Sequence, residues 1–226
     1  MARRTKEDAQ ATRNRILDTA EQVFQDKGVS HTTLAEIAKA ADLTRGAIYW
    51  HFKNKLDLFQ AMMDRVTLPM EHAFAAGASA FEHPLTFIRN CSLGVLKQIT
   101  SDPQSQRVFE ICCHKVEYVD EMLQLRTRHI ECRTSFVAHI EQSFKQASKQ
   151  GLIPASVNPR FAAVGLHALV DGLIMNWVLD PKYFSLSKAA EPIIDTYLNS
   201  FTLPAATPKP SPKSTPKRPS AKIKKK

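Results

Sequence analysis

The sequence predicts an all-α fold, on three observations. Apolar residues recur at intervals of three and four along long stretches, no stretch sustains the alternation of a half-buried strand, and residues suited to capping stand where the apolar periods begin. The first helix is expected over residues 7–26, with Ile16, Leu17, Ala20, Val23 and Phe24 on one stripe and Gly28 suited to its C-terminal stop. Thr33 opens a short second helix, because its hydroxyl can cap while Glu36, three residues on, reaches back. Its inward stripe is Leu34, Ile37, Ala38 and Ala41. A tight break at Asp42 and Leu43 precedes a third helix that opens at Thr44 and ends near Phe52. Asn54 caps a fourth helix over residues 55–76, with Asp57 completing a second capping box.

Further helices are expected over residues 85–100, 103–119 and 120–150, divided by a Ser-Asp-Pro break and ended by Gly151 and Pro154. Residues 159–179 form a helix apolar nearly all round, which implies burial on several sides, and a last helix covers residues 186–201. No internal repeat is evident.

The chain has 226 residues, 43% hydrophobic and 23% charged, enough to bury a core as one large domain or two small ones. Such a chain is neither a peptide hormone nor disordered throughout. Lysine and arginine total 31 against 22 acids, for a net charge of +9. Lys209, Lys213, Lys217, Arg218, Lys222, Lys224, Lys225 and Lys226 lie in residues 203–226, which hold no acid, so this tail carries +8 and leaves the body at +1. A nucleic-acid partner must therefore be argued from a local motif and not from a protein-wide field. The tail also holds six of the thirteen prolines, no glycine and no aromatic residue, the composition of a disordered segment.

Cys91, Cys112, Cys113 and Cys132 are too few and too irregularly spaced for a disulfide framework, so a reducing compartment is expected. The N-terminus lacks the apolar stretch of a signal peptide. Residues 161–179 approach a membrane span but carry His167, Asp171 and Asn176, which are expensive in lipid. A soluble, cytoplasmic protein is the expectation.

Two short capped helices joined by a tight turn, with a three-helix core behind them, form a helix-turn-helix pattern. In T-R-G-A-I-Y-W-H-F, residues 44–52, Ile48 and Phe52 are four apart and face the first two helices, which leaves Thr44, Arg45, Tyr49 and Trp50 mainly on other faces. Gly46 costs about 1 kcal/mol against alanine in a helix interior, a reason to expect a partner, such as a DNA groove, close to the backbone. An arginine at the start of a recognition helix can meet guanine O6 and N7 for roughly 1–3 kcal/mol of discrimination, while Tyr49 and Lys55 could hold phosphates. Lys55 stands at a helix N-terminus, which already favours an anion.

Residues 12–59, from T-R-N-R-I-L-D-T-A-E-Q-V-F through T-T-L-A-E-I-A-K-A-A-D-L-T-R-G-A-I-Y-W-H-F-K-N-K-L-D-L-F, resemble the DNA-binding domain of the TetR family of transcriptional repressors. The opening M-A-R-R-T-K-E-D-A-Q-A-T-R, H-K-V-E-Y-V-D-E-M at 114–122 and V-D-G-L-I-M-N-W at 170–177 are similar to its AcrR and TtgR branch, which represses multidrug efflux pump genes. The resemblance implies a DNA-binding domain over residues 1–55 and a ligand-binding and dimerisation domain over 56–202, with the tail at 203–226 outside both. It carries Thr33, Arg45, Gly46, Tyr49, Trp50, His51 and Lys55 onto operator-contacting positions, with Thr44 and Ala47 in the same run. Pocket positions fall on Val66, Met70, Phe109, Cys113, Phe136, Ile140, His167, Val170, Asp171 and Met175. The implied partners are a palindromic double-stranded operator, met by one dimer or two, and a small hydrophobic or aromatic ligand of antibiotic, bile-acid or phenolic type. A homodimer joined by its last two helices is implied, with no cofactor, no metal and no membrane. Ligand binding would change the spacing of the two recognition helices, with the fourth helix as transmitter.

Three alternatives stand beside this reading. Asp171 is either a polar anchor in the pocket or a satisfied carboxylate at the dimer seam, and Trp50 is either a DNA-backbone contact or a plug of the small core. Cys112, Cys113, His114, His129 and Cys132 admit a redox- or metal-sensing repressor, although adjacent cysteines point in different directions on a helix and a role as small buried hydrophobes is plainer. An enzyme is not expected, since the chain has no phosphate-cradling glycine loop, no G-x-S-x-G, no H-E-x-x-H and no E-x-x-H.

Overall fold

The computed structural model describes residues 2–77, 83–119 and 122–202. The basic tail lies outside the described residues. Among these residues are nine helices and no strand: α1 (Ala2–Lys27), α2 (Leu34–Ala40), α3 (Arg45–His51), α4 (Lys55–Gly77), α5 (Pro84–Ser101), α6 (Pro103–His114), α7 (Leu123–Lys149), α8 (Pro159–Leu179) and α9 (Leu186–Asn199).

The short helices are specified by their ends. At α2, the Thr33 hydroxyl accepts from the Glu36 N–H at 3.2 Å and the Glu36 carboxylate accepts from the Thr33 N–H at 2.9 Å, the expected reciprocal box. The helix then stops in a Schellman turn, in which Leu43 N–H donates to the Ala38 carbonyl at 2.9 Å and Asp42 N–H to that of Lys39 at 3.1 Å. Asp42 takes the left-handed conformation this turn requires, with φ of 52°. Aspartate tolerates that region better than most residues. The same device ends α7, with Gly151 at φ of 70° and Leu152 N–H on the Ala147 carbonyl at 2.9 Å.

Three ends differ from expectation. α1 begins at Ala2, ahead of the expected start at residue 7. At α4, Asn54 caps the Asp57 N–H at 2.8 Å, but the Asp57 carboxylate reaches the N–H of Lys53 and not that of Asn54. α6 ends at His114 and not near Val119, because the Lys115 carbonyl turns away to accept the Val29 N–H at 2.9 Å, tying the end of α6 to the turn after α1.

Two apolar cores result. The N-terminal core gathers Ile16, Leu17, Ala20 and Phe24 of α1 with Ile37, Ile48 and Phe52, and runs on through Leu58, Phe59, Met62 and Val66 of α4 to Val108 and Ile111 of α6. The second core joins α5, α7, α8 and α9 around Ile88, Leu96, Phe144, Ala163, Leu166 and Ile194. α6 therefore belongs to both halves of the molecule, and Phe109 packs against both cores.

Among the described residues α8 is the one helix long and apolar enough, by length and composition, to cross a membrane. Its inner side is that of a core helix. Ala162, Ala163, Leu166, Ile174 and Val178 are buried, and a Cβ on Gly165 would collide with the Tyr197 hydroxyl, which donates to the Ala162 carbonyl at 2.8 Å. Phe161, Val164, Met175 and Leu179 remain exposed along its other side.

Candidate nucleic-acid interface and ligand site

The N-terminal domain separates packing from display on one short helix. Ile48 and Phe52 are buried in the core, whereas Tyr49 is 56% and Trp50 73% exposed. Trp50 is thus not a core plug. The Thr44 hydroxyl accepts from the Ala47 N–H at 3.1 Å and fixes the start of α3, which leaves Arg45 exposed one residue later. A Cβ at Gly46 would find only the Thr44 hydroxyl, at 3.9 Å, so the chain's own packing does not require a glycine there. A cleft of 450 Å³ lies beside Arg45, lined also by Ala35, Lys39 and Asp42.

His51 is half-buried, its ring edge-on to Trp50 with centroids 4.5 Å apart. Burial, and then the charge of Arg13, hold its pKa below the ordinary value and so favour the neutral imidazole. The Arg13 guanidinium itself sits 5.1 Å from the centre of the Phe52 ring, a cation–π contact that fastens α1 to the end of α3. Lys55 is drawn inward, its ammonium donating to the carbonyls of Val29 at 2.9 Å and Ser30 at 3.3 Å. Thr33 is held by the capping box.

In the second domain the structure gathers part of the expected pocket. Phe109 and Cys113 of α6, Phe136 and Ile140 of α7 and Val170 of α8 all pack against the C-terminal core. Val66 and Met70 of α4 pack against the N-terminal core, and Met175 faces outward. Asp171 is not deep in the apolar helix. Its side chain is 49% exposed and pairs with His167, Nδ1 to carboxylate oxygen at 3.1 Å. Its charge reaches Cys113, whose thiol burial first and Asp171 second push up to about 11. His114 Nε2 lies 3.0 Å from the Met175 carbonyl, a second tie between α6 and α8.

The cysteine group does not assemble. Cys112 packs on the N-terminal core and Cys113 on the C-terminal one, as adjacent helical positions dictate, while Cys132 lies 3.5 Å from a Glu71 carboxylate oxygen. All four thiols are free, and burial raises the pKa of each. Among the described residues no group of three or more His, Cys, Asp or Glu is placed to hold a metal ion. The redox- or metal-sensing alternative finds no support.

One buried polar cluster was not among the residues singled out in the sequence. Glu21 of α1 is 1% exposed, and its carboxylate accepts from Gln104 Nε2 at 2.7 Å, with Arg107 at 3.5 Å and Arg65 at 3.6 Å. A signal was present, since Glu21 stands on the buried stripe between Leu17 and Phe24 at spacings of four and three.

The fold and this display define a helix-turn-helix DNA-binding protein with a helical second domain that shares α6 with the first. Residues 16–62 match the bacterial regulatory proteins of the tetR family, and residues 83–203 match the C-terminal region of MAATS-type transcriptional repressors. The chain belongs to the TetR family of transcriptional regulators. It is 39% identical over 207 residues to the HTH-type transcriptional regulator TtgR of Pseudomonas putida, covering 91% of this chain and 99% of that protein. Among solved structures it resembles NalD, the secondary repressor of the MexAB-OprM multidrug efflux pump in Pseudomonas aeruginosa. The identity is 34% and the TM-score 0.79, over 85% of this chain and 96% of NalD. It also resembles SmeT, the repressor of the Stenotrophomonas maltophilia multidrug efflux pump SmeDEF, in its complex with triclosan. Here the identity is 27% and the TM-score 0.76, over 90% of this chain and all of SmeT.

Proposed function

We infer that the protein is a homodimeric repressor of a multidrug efflux operon, released from its operator by small hydrophobic compounds, and that it works in the cytoplasm without catalysis. The observation that carries this is likeness along nearly the whole chain, both domains included, to proteins described as regulators and as efflux-pump repressors. Exposed Arg45, Tyr49 and Trp50 on a capped recognition helix supply the base and phosphate contacts, with Thr33, Thr44, Gly46, Ala47, His51 and Lys55 around them. Dimerisation accounts for the exposed Phe161, Val164, Met175 and Leu179 on α8, an apolar strip too large to leave in water. A two-fold axis there would set two recognition helices about 34–36 Å apart, or a multiple of it, to enter successive major grooves.

The ligand site is read between α6, α7 and α8, around Phe109, Cys113, Phe136, Ile140, Val170 and the Asp171–His167 pair. A compound that parts α6 from α8 prefers the DNA-incompetent arrangement, and its leverage is limited to that preference. The tail adds up to eight phosphate contacts without sequence choice, which would steepen the salt dependence of binding by about 7 if all engaged.

The test is a mobility shift of the purified protein on DNA upstream of its own gene and of any neighbouring pump operon, at two salt concentrations, with and without triclosan. Specific binding lost on adding the compound is the expected outcome. Salt-sensitive binding to any DNA, indifferent to compounds and abolished by deleting residues 203–226, would overturn the reading.

A further inference from the structure

The buried carboxylate of Glu21 stands where three helices of different duty meet. α1 shares the N-terminal core with the recognition helix, Ile16 and Leu17 standing in one apolar cluster with Ile48 and Phe52, and its Arg13 lies over the Phe52 ring. α4 connects the two domains and contributes Arg65, which also bonds Asp18 at 2.7 Å. α6 contributes Gln104 and Arg107, and further along the same helix it presents Phe109, Cys113 and His114 toward the C-terminal core and α8. A second bond joins α6 to α1 on the same flank, Gln25 Nε2 to Glu110 at 2.8 Å.

The polar bonding at this junction is short of complete. Gln104 is held firmly, but both arginines stand beyond ordinary hydrogen-bond length from Glu21, and buried Arg65 Nη1 and Arg107 Nε have no hydrogen-bond partner. A fully apolar contact or a fully bonded network would have one best arrangement. One carboxylate shared among two guanidiniums and an amide can trade partners, so a small shift of α6 would bring one group closer at another's expense.

We propose that Glu21 is the coupling residue through which a displacement of α6, made by ligand between α6 and α8, reaches α1 and α4 and so the recognition helix. The inference rests on the functional reading above and names its regulation. Glu21 is a positioning residue, since it belongs to neither the operator face nor the ligand site. Its carboxylate holds α6 through Gln104 and Arg107 and α4 through Arg65, so neutralising it frees the helices to move independently. The protein should still bind ligand and operator but lose the link between them.

The experiment uses full-length protein, operator DNA and triclosan as probe. For Glu21→Gln, triclosan affinity by intrinsic tryptophan fluorescence and operator affinity without probe should each stay within about threefold of wild type. The factor by which saturating triclosan weakens operator binding should fall at least tenfold, and Glu21→Asp, which keeps the charge, should recover part of it. Release of Glu21→Gln as complete as that of wild type overturns the proposal. Arg107→Gln, at a more exposed position, repeats the test should Glu21→Gln fail to fold. If triclosan does not release wild-type protein, the functional reading loses that ligand, and a probe-free cycle decides the coupling. In that cycle, operator DNA should protect α6 amides of wild type from hydrogen exchange and should protect them less in Glu21→Gln, and equal protection in the two overturns the proposal.

Discussion

The two halves of this molecule treat their functional residues in opposite ways. On α3, side chains that hold the fold and side chains that face outward are different residues: Ile48 and Phe52 are buried, and Arg45, Tyr49 and Trp50 are exposed. Around α6 and α8 the same residue would do both, for Phe109, Cys113, Phe136 and Ile140 are packed into or against the core and are also the residues proposed to meet a ligand. A displayed site can change its contacts without cost to folding. A site made of core side chains cannot, and any compound admitted to it must move helices, which is what release of DNA requires.

The largest expected effects test the packed residues. Ile48→Ala should cost about 2–5 kcal/mol of stability, because the side chain is fully buried among α1 and α2, and should remove operator binding as α3 loses its seat. Ile140→Ala should cost about the same in thermal or urea unfolding and also change the potency of a releasing compound, with operator affinity kept. If Ile140→Ala lowered stability alone, the claim that core and ligand site coincide would fail.

Arg45→Ala comes next. The side chain is exposed, so the melting temperature should hold while operator affinity falls by about 1–3 kcal/mol, on the order of 5- to 150-fold. A loss uniform across operator and unrelated DNA would reassign Arg45 to a phosphate. Asp171→Asn is the matched change in the other half, and a smaller one. With its carboxylate half in solvent beside His167, the variant should keep stability and operator affinity and shift ligand potency by about 1 kcal/mol, or roughly fivefold. A change in the dimer dissociation constant with no change in potency would place Asp171 at the dimer seam instead.

The same contrast explains what the sequence made legible. Capping and turn chemistry are local, so Thr33, Glu36, Asp42, Thr44 and Gly151 marked their helix ends within a residue. The inward placing of Ile48 and Phe52 followed from periodicity, whereas Trp50 stood between display and core plug until the fold left it exposed. The end of α6 was not legible, because it is set by Lys115 meeting Val29, far away in the chain. Glu21 was legible only in part, since its place on the apolar stripe marks it for burial but the partners that meet it there, Gln104 and Arg107, are brought over by the fold. The Asp171 carboxylate looked stranded in an apolar helix, but the exposed flank of α8 gives it water and His167 gives it a partner.

The smallest effect concerns the cap that fixes α2, and it should be confined to the N-terminal half. The bond from the Thr33 backbone, and then those from Lys27 and the Thr33 hydroxyl, hold the Glu36 pKa down from 4.5 to about 2. Because the folded value lies below the unfolded one, the stabilisation is complete above the ordinary carboxylate range and is lost as pH falls from there through about 2. Thr33→Ala should remove about 1 kcal/mol at pH 7. Glu36→Gln should flatten the acid limb of the stability curve of the N-terminal domain. The acid limb read from α8 should be unchanged, since His167 and Asp171 lie far along the chain from this cap, on a helix of the other core. Hydrogen exchange of α2 and α8 amides between pH 5 and pH 3 reads both at once. Equal loosening of the two helices would mean that the domains melt as one cooperative unit, and the division of labour drawn above would then hold for function but not for folding.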